Sequence, residues 1–152
     1  MIKQDKIMTI SKIMIAVDRT AASFKAMDMG FSLAESLKKP EVLVIHVIDP
    51  AWAMGDPDAG ILPEQALAKL KRESENFLQQ LIKMYSKSLE PIYLILQGKV
   101  VTEIIEAAKN YQADILVLGT HSRKGLANLF VEDVVKEIIP HSPCPILLPC
   151  DQ

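Results

Sequence analysis

Five short apolar runs punctuate this chain, and between them lie longer segments whose apolar residues recur at helical spacing. The runs are S-K-I-M-I-A-V (11–17), V-L-V-I-H-V-I (42–48), I-Y-L-I-L (92–96), I-L-V-L (115–118) and the proline-bounded P-I-L-L-P (145–149). Each is too short and too uniformly apolar for a surface helix, so each reads as a strand buried on both faces. Such strands alternating with amphipathic helices predict an α/β fold, a parallel sheet with helices on both faces and right-handed connections. The prolines around the last run suit a strand near an edge.

The intervening segments carry their own signals. Thr20 or Ser23 is a candidate cap for the first helix, whose stripe is Phe24, Met27, Phe31 and Ala34 and whose stop is Pro40. Pro63 suits a first-turn position and opens a helix to about Ser88, with Leu67, Leu70, Phe77, Leu81 and Met84 on one side. Val101, Ile104, Ile105 and Ala108 stripe the third helix. The fourth is expected over about 133–140, with Val134, Val135, Ile138 and Ile139. Segment 49–63 holds three prolines and two glycines, a long loop of the kind that is usually functional or mobile. Residues 1–10 read as a tail and 11–152 as one domain, without repeat or linker.

Hydrophobic residues make up 49% and charged residues 24% of the 152, which excludes a disordered chain. A net charge of −2 implies no basic face, so nucleic acid is not an expected partner. The first ten residues lack the apolar core of a secretory signal. No run approaches the roughly 18 apolar residues of a membrane span, and a cytoplasmic protein with no membrane partner is expected. Cys144 and Cys150 lie six residues apart, about 20 Å along a strand against about 5.5 Å for bridged Cα atoms. They cannot pair if that strand forms.

One place speaks of a site. Gly119 stops the fourth apolar run, a polar and basic loop (Thr120 to Gly125) follows, and helical periodicity resumes near Val131. Strand, glycine-containing loop and helix start bring backbone N–H groups to an anion. Open sheets bind ligands beyond the carboxyl ends of their strands, which gathers Asp18, the 119–133 loop and His46-Val47 around one crevice. Taken alone, Asp18 is a solvated turn residue. His46 reads as a core histidine with a partner, His121 as a loop-ordering hydrogen bonder, and Asp56 and Asp58 as a solvated acidic loop rather than a cation site. Trp52 packs locally, or covers the crevice or a dimer partner. Gly98-Lys99 lacks the rest of a P-loop, Ser122 lacks a nucleophile elbow, and the three histidines lack metal-ligand spacing. With no paired acid and base and no activated nucleophile in the pattern, an enzyme is not expected.

Val17-Asp18 with Thr20 and Ser23, His46-Val47, Gly119-Thr120-His121 with Arg123 and Gly125, and the closing H-S-P-C-P-I (141–146) together resemble the universal stress protein family over residues 11–149. The resemblance implies a Rossmann-like open five-stranded sheet in order 3-2-1-4-5. It also implies a homodimer through the last strand, around Pro145–Pro149, and an adenine-nucleotide site with ATP as the candidate cofactor. Carried over position by position, that site comprises Val17, Asp18, Val47, Leu118, Gly119, Ser122, Arg123, Glu132, Asp133 and Val134.

The family's nucleotide-binding pattern is glycine, two residues, glycine, nine residues, then glycine and serine or threonine. Here those positions hold Gly119, Ser122, Glu132 and Asp133. A carboxylate about 5 Å from a phosphate charge costs roughly 3 kcal/mol at an effective dielectric near 20. Asp133 also suits the N-cap of the fourth helix, where it would satisfy the N–H groups a phosphate needs. Arg123 and Lys124 act in the opposite sense. Two expectations follow: a dimeric stress-response regulatory or interaction module with a degraded nucleotide site, or an ATP/AMP-binding switch that tolerates these residues.

Overall fold

The computed structural model describes residues 7–38, 40–86, 89–119 and 129–149, with the backbone alone over 129–133. In chain order these form β1 (Lys12–Val17), α1 (Ala21–Ser36), β2 (Glu41–Ile48), a 3-10 turn (Pro50–Trp52) and α2 (Pro63–Tyr85). Then come β3 (Ile92–Gln97), α3 (Val100–Tyr111), β4 (Ile115–Leu118), α4 (Leu129–Ile138), a second 3-10 turn (Ile139–His141) and β5 (Ile146–Leu147). The strands make one sheet in order β3-β2-β1-β4-β5, every neighbouring pair parallel. This is the expected Rossmann-like sheet.

β1 is central because its residues are apolar on both faces and pair on both edges: Met14 lies between Leu43 of β2 and Leu116 of β4. Alternation of side chains along a strand then divides the core. Ile13, Ile15 and Val17 meet Met27, Phe31 and Leu78 on the α1/α2 side. Met14, Ile45 and Leu118 meet Ile104 and Ile138 on the α3/α4 side. Ile13, Met14 and Ile15 are wholly excluded from solvent, and burial of each such side chain contributes about 2 kcal/mol.

Several local expectations are corrected. In α1 the buried arc runs through Ala22, Ala26, Met27, Gly30, Phe31 and Ala34, and Phe24 is 41% exposed. The small residues let the helix settle on β1, where a Cβ on Gly30 would lie 2.8 Å from Ile15 Cγ1, and this leaves Phe24 at the rim. In α2, Ser74, Leu78 and Leu81 are buried, whereas Met84 is exposed. Thr20 occupies the N-cap position of α1 without capping it, because its hydroxyl donates to Asp18. Pro63 does open α2, and Gln65 Oε1 accepts the Leu62 N–H at 3.0 Å.

Two corrections bear on the carboxyl end of the sheet. α4 begins at Leu129, so Asp133 lies in its second turn and is not its N-cap. Val131, Val135 and Ile138 share one helical period, and the helix extends back along it. β5 is shorter than the proline-bounded run: only Ile146 and Leu147 join the ladder, since Pro145 and Pro149 have no N–H to donate. The Pro145 carbonyl still accepts the Leu116 N–H at 2.9 Å. Among the described residues no helix is long and apolar enough to cross a membrane.

Candidate functional site

Beyond the carboxyl ends of β1, β2 and β4 the sheet opens into a cavity of about 160 Å³. Val17 and Asp18 enter it from β1, His46 and Val47 from β2, Leu118 and Gly119 from β4. The strands stay paired to their ends, and it is the connections that part there: α1 lies on one face of the sheet while α3 and α4 cover the other. Gly119 permits the closeness of the first crossing. A Cβ there would lie 2.6 Å from the carbonyl carbon of Ala22 and 2.9 Å from its Cβ, so no other residue fits without moving α1.

Asp18 is held from both sides by the chain that follows it. One carboxylate oxygen, Oδ1, accepts the Thr20 N–H at 2.8 Å, the Thr20 hydroxyl and the Ser23 hydroxyl at 3.0 Å. The Ser23 oxygen in turn accepts the Asp18 N–H at 2.6 Å. This closed ring of bonds fixes the turn from β1 to α1 and orients the carboxylate without any helix cap. An ionised carboxylate carries about four acceptor sites on two oxygens, so Oδ2 keeps its capacity to accept a ligand hydroxyl.

His46 donates from Nδ1 to the Val17 carbonyl at 2.9 Å. A carbonyl can only accept, and this fixes the ring's tautomer. Burial pushes the imidazole pKa down, with the backbone bond to Val17 opposing and Arg19 reinforcing the shift. The neutral ring stands edge-on to Phe77, centroids 6.0 Å apart. His46 is thus the partnered core histidine expected, and it also borders the cavity.

Of the ten sequence-derived site residues, Val17, Asp18, Val47, Leu118, Gly119 and Val134 converge on this cavity. Ser122 and Arg123 lie outside the described residues, and so do the side chains of Glu132 and Asp133. Ala16, Ser23, Ile45, Val100, Ile104 and Val135 also line the cavity and were not singled out as site residues. Ile45 was legible as the residue two before Val47 on the same strand face. Val100 and Ile104 depend on how α3 packs, which no local pattern encodes. Trp52 borders the cavity as well, at the end of the 3-10 turn that Asp49 caps through the Ala51 N–H at 2.9 Å.

Of the other candidates, His121 lies outside the described residues, and the acidic loop is structural. Asp56 Oδ1 accepts the N–H groups of Asp58 and Ala59 at 3.1 and 3.2 Å, closing the turn inside an Asp56–Ile61 bridge. Among the described residues no group of three or more His, Cys, Asp or Glu side chains is placed to hold a metal ion. Cys144 is not in a disulfide. Burial raises its thiol pKa, which leaves it less nucleophilic than an exposed thiol.

The sequence model of the Universal stress protein family matches residues 9–148. A universal stress protein of Methanocaldococcus jannaschii is 30% identical over 138 residues, covering 90% of this chain and 80% of the relative. Among solved structures, the hypothetical protein MJ0577 superimposes with a TM-score of 0.78 at 22% identity, over 93% of this chain and 96% of the other. A universal stress protein from Archaeoglobus fulgidus in complex with dAMP gives 0.61 at 17%, over 93% and 98%. Another, in complex with cAMP, gives 0.59 at 16%, over 92% and 96%. At these identities the structures speak for the fold, and the sequence matches speak for the kinship: the chain belongs to the universal stress protein family.

Proposed function

We propose that this chain is a non-catalytic stress-response module whose cavity takes the base of an adenine nucleotide while its phosphate hold is degraded. The cavity carries this reading. About 160 Å³ is close to the roughly 150 Å³ that accommodates a single apolar ring and well below the 300 Å³ or more of a site enclosing a whole drug-sized ligand. That space is on the scale of a base and not of a whole nucleotide, which assigns the sugar and phosphates to the mouth. There Asp18 meets them as an acceptor, which suits ribose hydroxyls and repels phosphate oxygens. Glu132 and Asp133 stand in the sequence where the family pattern has glycine and a hydroxyl residue, and each adds negative charge where phosphates would go. The complexes of two structural relatives with cAMP and dAMP support an adenine ligand with a single phosphate.

The partner surface proposed is the C-terminal edge around Pro145–Pro149, making a homodimer. β5 is the outer strand of the sheet, and an apolar edge strand invites pairing with a second copy. The second reading is an ATP/AMP-binding switch, which shares with the first the adenine ligand that those complexes support. Calorimetric titration of the wild-type chain with AMP and with ATP separates the two. AMP binding that equals or exceeds ATP binding supports the degraded phosphate hold, and ATP binding tighter by a decade or more favours the switch.

A further inference from the structure

The indole of Trp52 is out of keeping with its surroundings. Trp52 is the only tryptophan in the chain, the residue is 62% exposed, and yet it lines the cavity. Tryptophan is a residue whose large apolar surface is ordinarily mostly buried.

Its backbone is held at both ends. Upstream, the Ile48 carbonyl accepts the Gly98 N–H at 3.0 Å, and the Trp52 N–H donates to the Asp49 carbonyl at 3.0 Å. Downstream, the Ala53 N–H donates to the Pro50 carbonyl at 3.0 Å and Ala53 is itself buried. The turn therefore holds residue 52 beside the cavity from a fixed backbone position. The remaining walls are mostly aliphatic, among them Val47, Ile104 and Val134. Such walls give a planar ligand contact area but no aromatic face, and the other ring bordering the cavity, the imidazole of His46, is buried and engaged with the Val17 carbonyl and the Phe77 ring.

We propose that Trp52 is a base-stacking residue: its indole covers one face of a planar heterocycle seated in this cavity, and so selects aromatic bases over other apolar groups of the same volume. The inference rests on the adenine-site reading and adds to it the residue that confers that preference. Stacking of a base on an aromatic side chain is worth roughly tenfold or more in affinity.

As the sole tryptophan, the residue reports on itself. AMP is titrated into the wild type, Trp52→Phe and Trp52→Ala, following heat in all three and indole emission in the wild type. The expected result is saturable quenching with the calorimetric Kd, little loss of affinity in Trp52→Phe, and about tenfold weaker binding in Trp52→Ala. AMP binding by heat with unchanged emission, and an unchanged Kd in Trp52→Ala, would overturn the stacking role while leaving the nucleotide reading standing. Neither heat nor quenching at millimolar AMP would overturn both. If Trp52→Ala halves the mass seen by light scattering, the indole packs against a second copy and the stacking role is likewise overturned.

Discussion

The two ends of the sheet each hold an aspartate that gathers hydrogen-bond donors, and they put it to different uses. At the amino end, one oxygen of Asp114, Oδ2, accepts the Ser11 N–H at 2.8 Å, the Ser11 hydroxyl at 3.0 Å and the Lys12 N–H at 2.8 Å. This staples the start of β1 to the start of β4. Lys12 Nζ lies 5.3 Å from the centre of the Tyr111 ring beside it. At the carboxyl end, Asp18 is bonded as fully, but its donors come from residues two and five positions ahead, and a cavity opens against it. Three donors gathered on one carboxylate oxygen therefore do not mark a site. What distinguishes the carboxyl end is the concavity beyond the ends of β1, β2 and β4, which Asp18 lines.

The largest effect expected is from Gly119→Ala. Its Cβ meets the Ala22 backbone, which cannot move without shifting α1, so the variant should lose about 3 kcal/mol in urea denaturation. A loss under about 0.5 kcal/mol would show that the two elements cross less tightly than described.

Asp114→Ala should cost about 1 kcal/mol, less than three charge-assisted bonds would suggest because the group is largely solvated, and should leave AMP affinity unchanged. Asp18→Ala should weaken AMP binding. If both variants shifted affinity alike, the contrast between the two ends would collapse.

The same contrast has a pH form. The Ser11 and Lys12 N–H bonds depress the Asp114 pKa, so its contribution is complete above its unfolded pKa of about 3.9. It is lost as pH falls through the lower folded value. His46 is also depressed, by burial, so stability at the carboxyl end is lost as pH falls below about 6.5 towards the folded pKa. Denaturation midpoints measured from pH 7 to 3 should show the earlier decline removed in His46→Gln and the later one removed in Asp114→Asn.

The smallest effect is Tyr111→Phe. Among the described residues the hydroxyl is buried without a hydrogen-bond partner, and burial pushes its pKa up to about 12. Its removal should be neutral or stabilising by up to about 1 kcal/mol, measured by urea denaturation. A clear loss would reveal a partner for this hydroxyl at the amino end.

Much of this architecture is legible in the sequence because the strands are short and mostly apolar, although β3, expected to be buried on both faces, leaves Ile92 and Leu94 exposed at the edge of the sheet. The run Ile115–Leu118 gave β4 its observed bounds. Strand order was not legible from pattern, since periodicity is blind to which strand neighbours which; the resemblance carried it. α4 was misplaced for a local reason: Asp133 has the chemistry of a cap, and Leu129 to Val131 look like the end of a loop. Only the spacing of Val131 to Val135 and Ile138 shows the helix reaching further back. Of the site, the residues ending β1, β2 and β4 were legible from the rule that ligands lie beyond strand ends. For Trp52 the pattern left local packing, the crevice and a dimer partner open, and Ile104 was not legible as a site residue, because the place of each at the cavity depends on how a loop and a helix pack over the sheet.

The central claim is that the base-binding cavity survives here while the phosphate hold does not. Its most direct test compares adenosine and ATP binding by calorimetry in the wild type and in the combined variant Ser122→Gly, Glu132→Gly, Asp133→Ser. The account predicts adenosine affinity unchanged between the two proteins, and ATP affinity raised by a decade or more in the variant, from removal of charges worth roughly 3 kcal/mol each at close range. ATP bound tightly by the wild type and more weakly by the variant would contradict it, and would assign the carboxylates to the site itself.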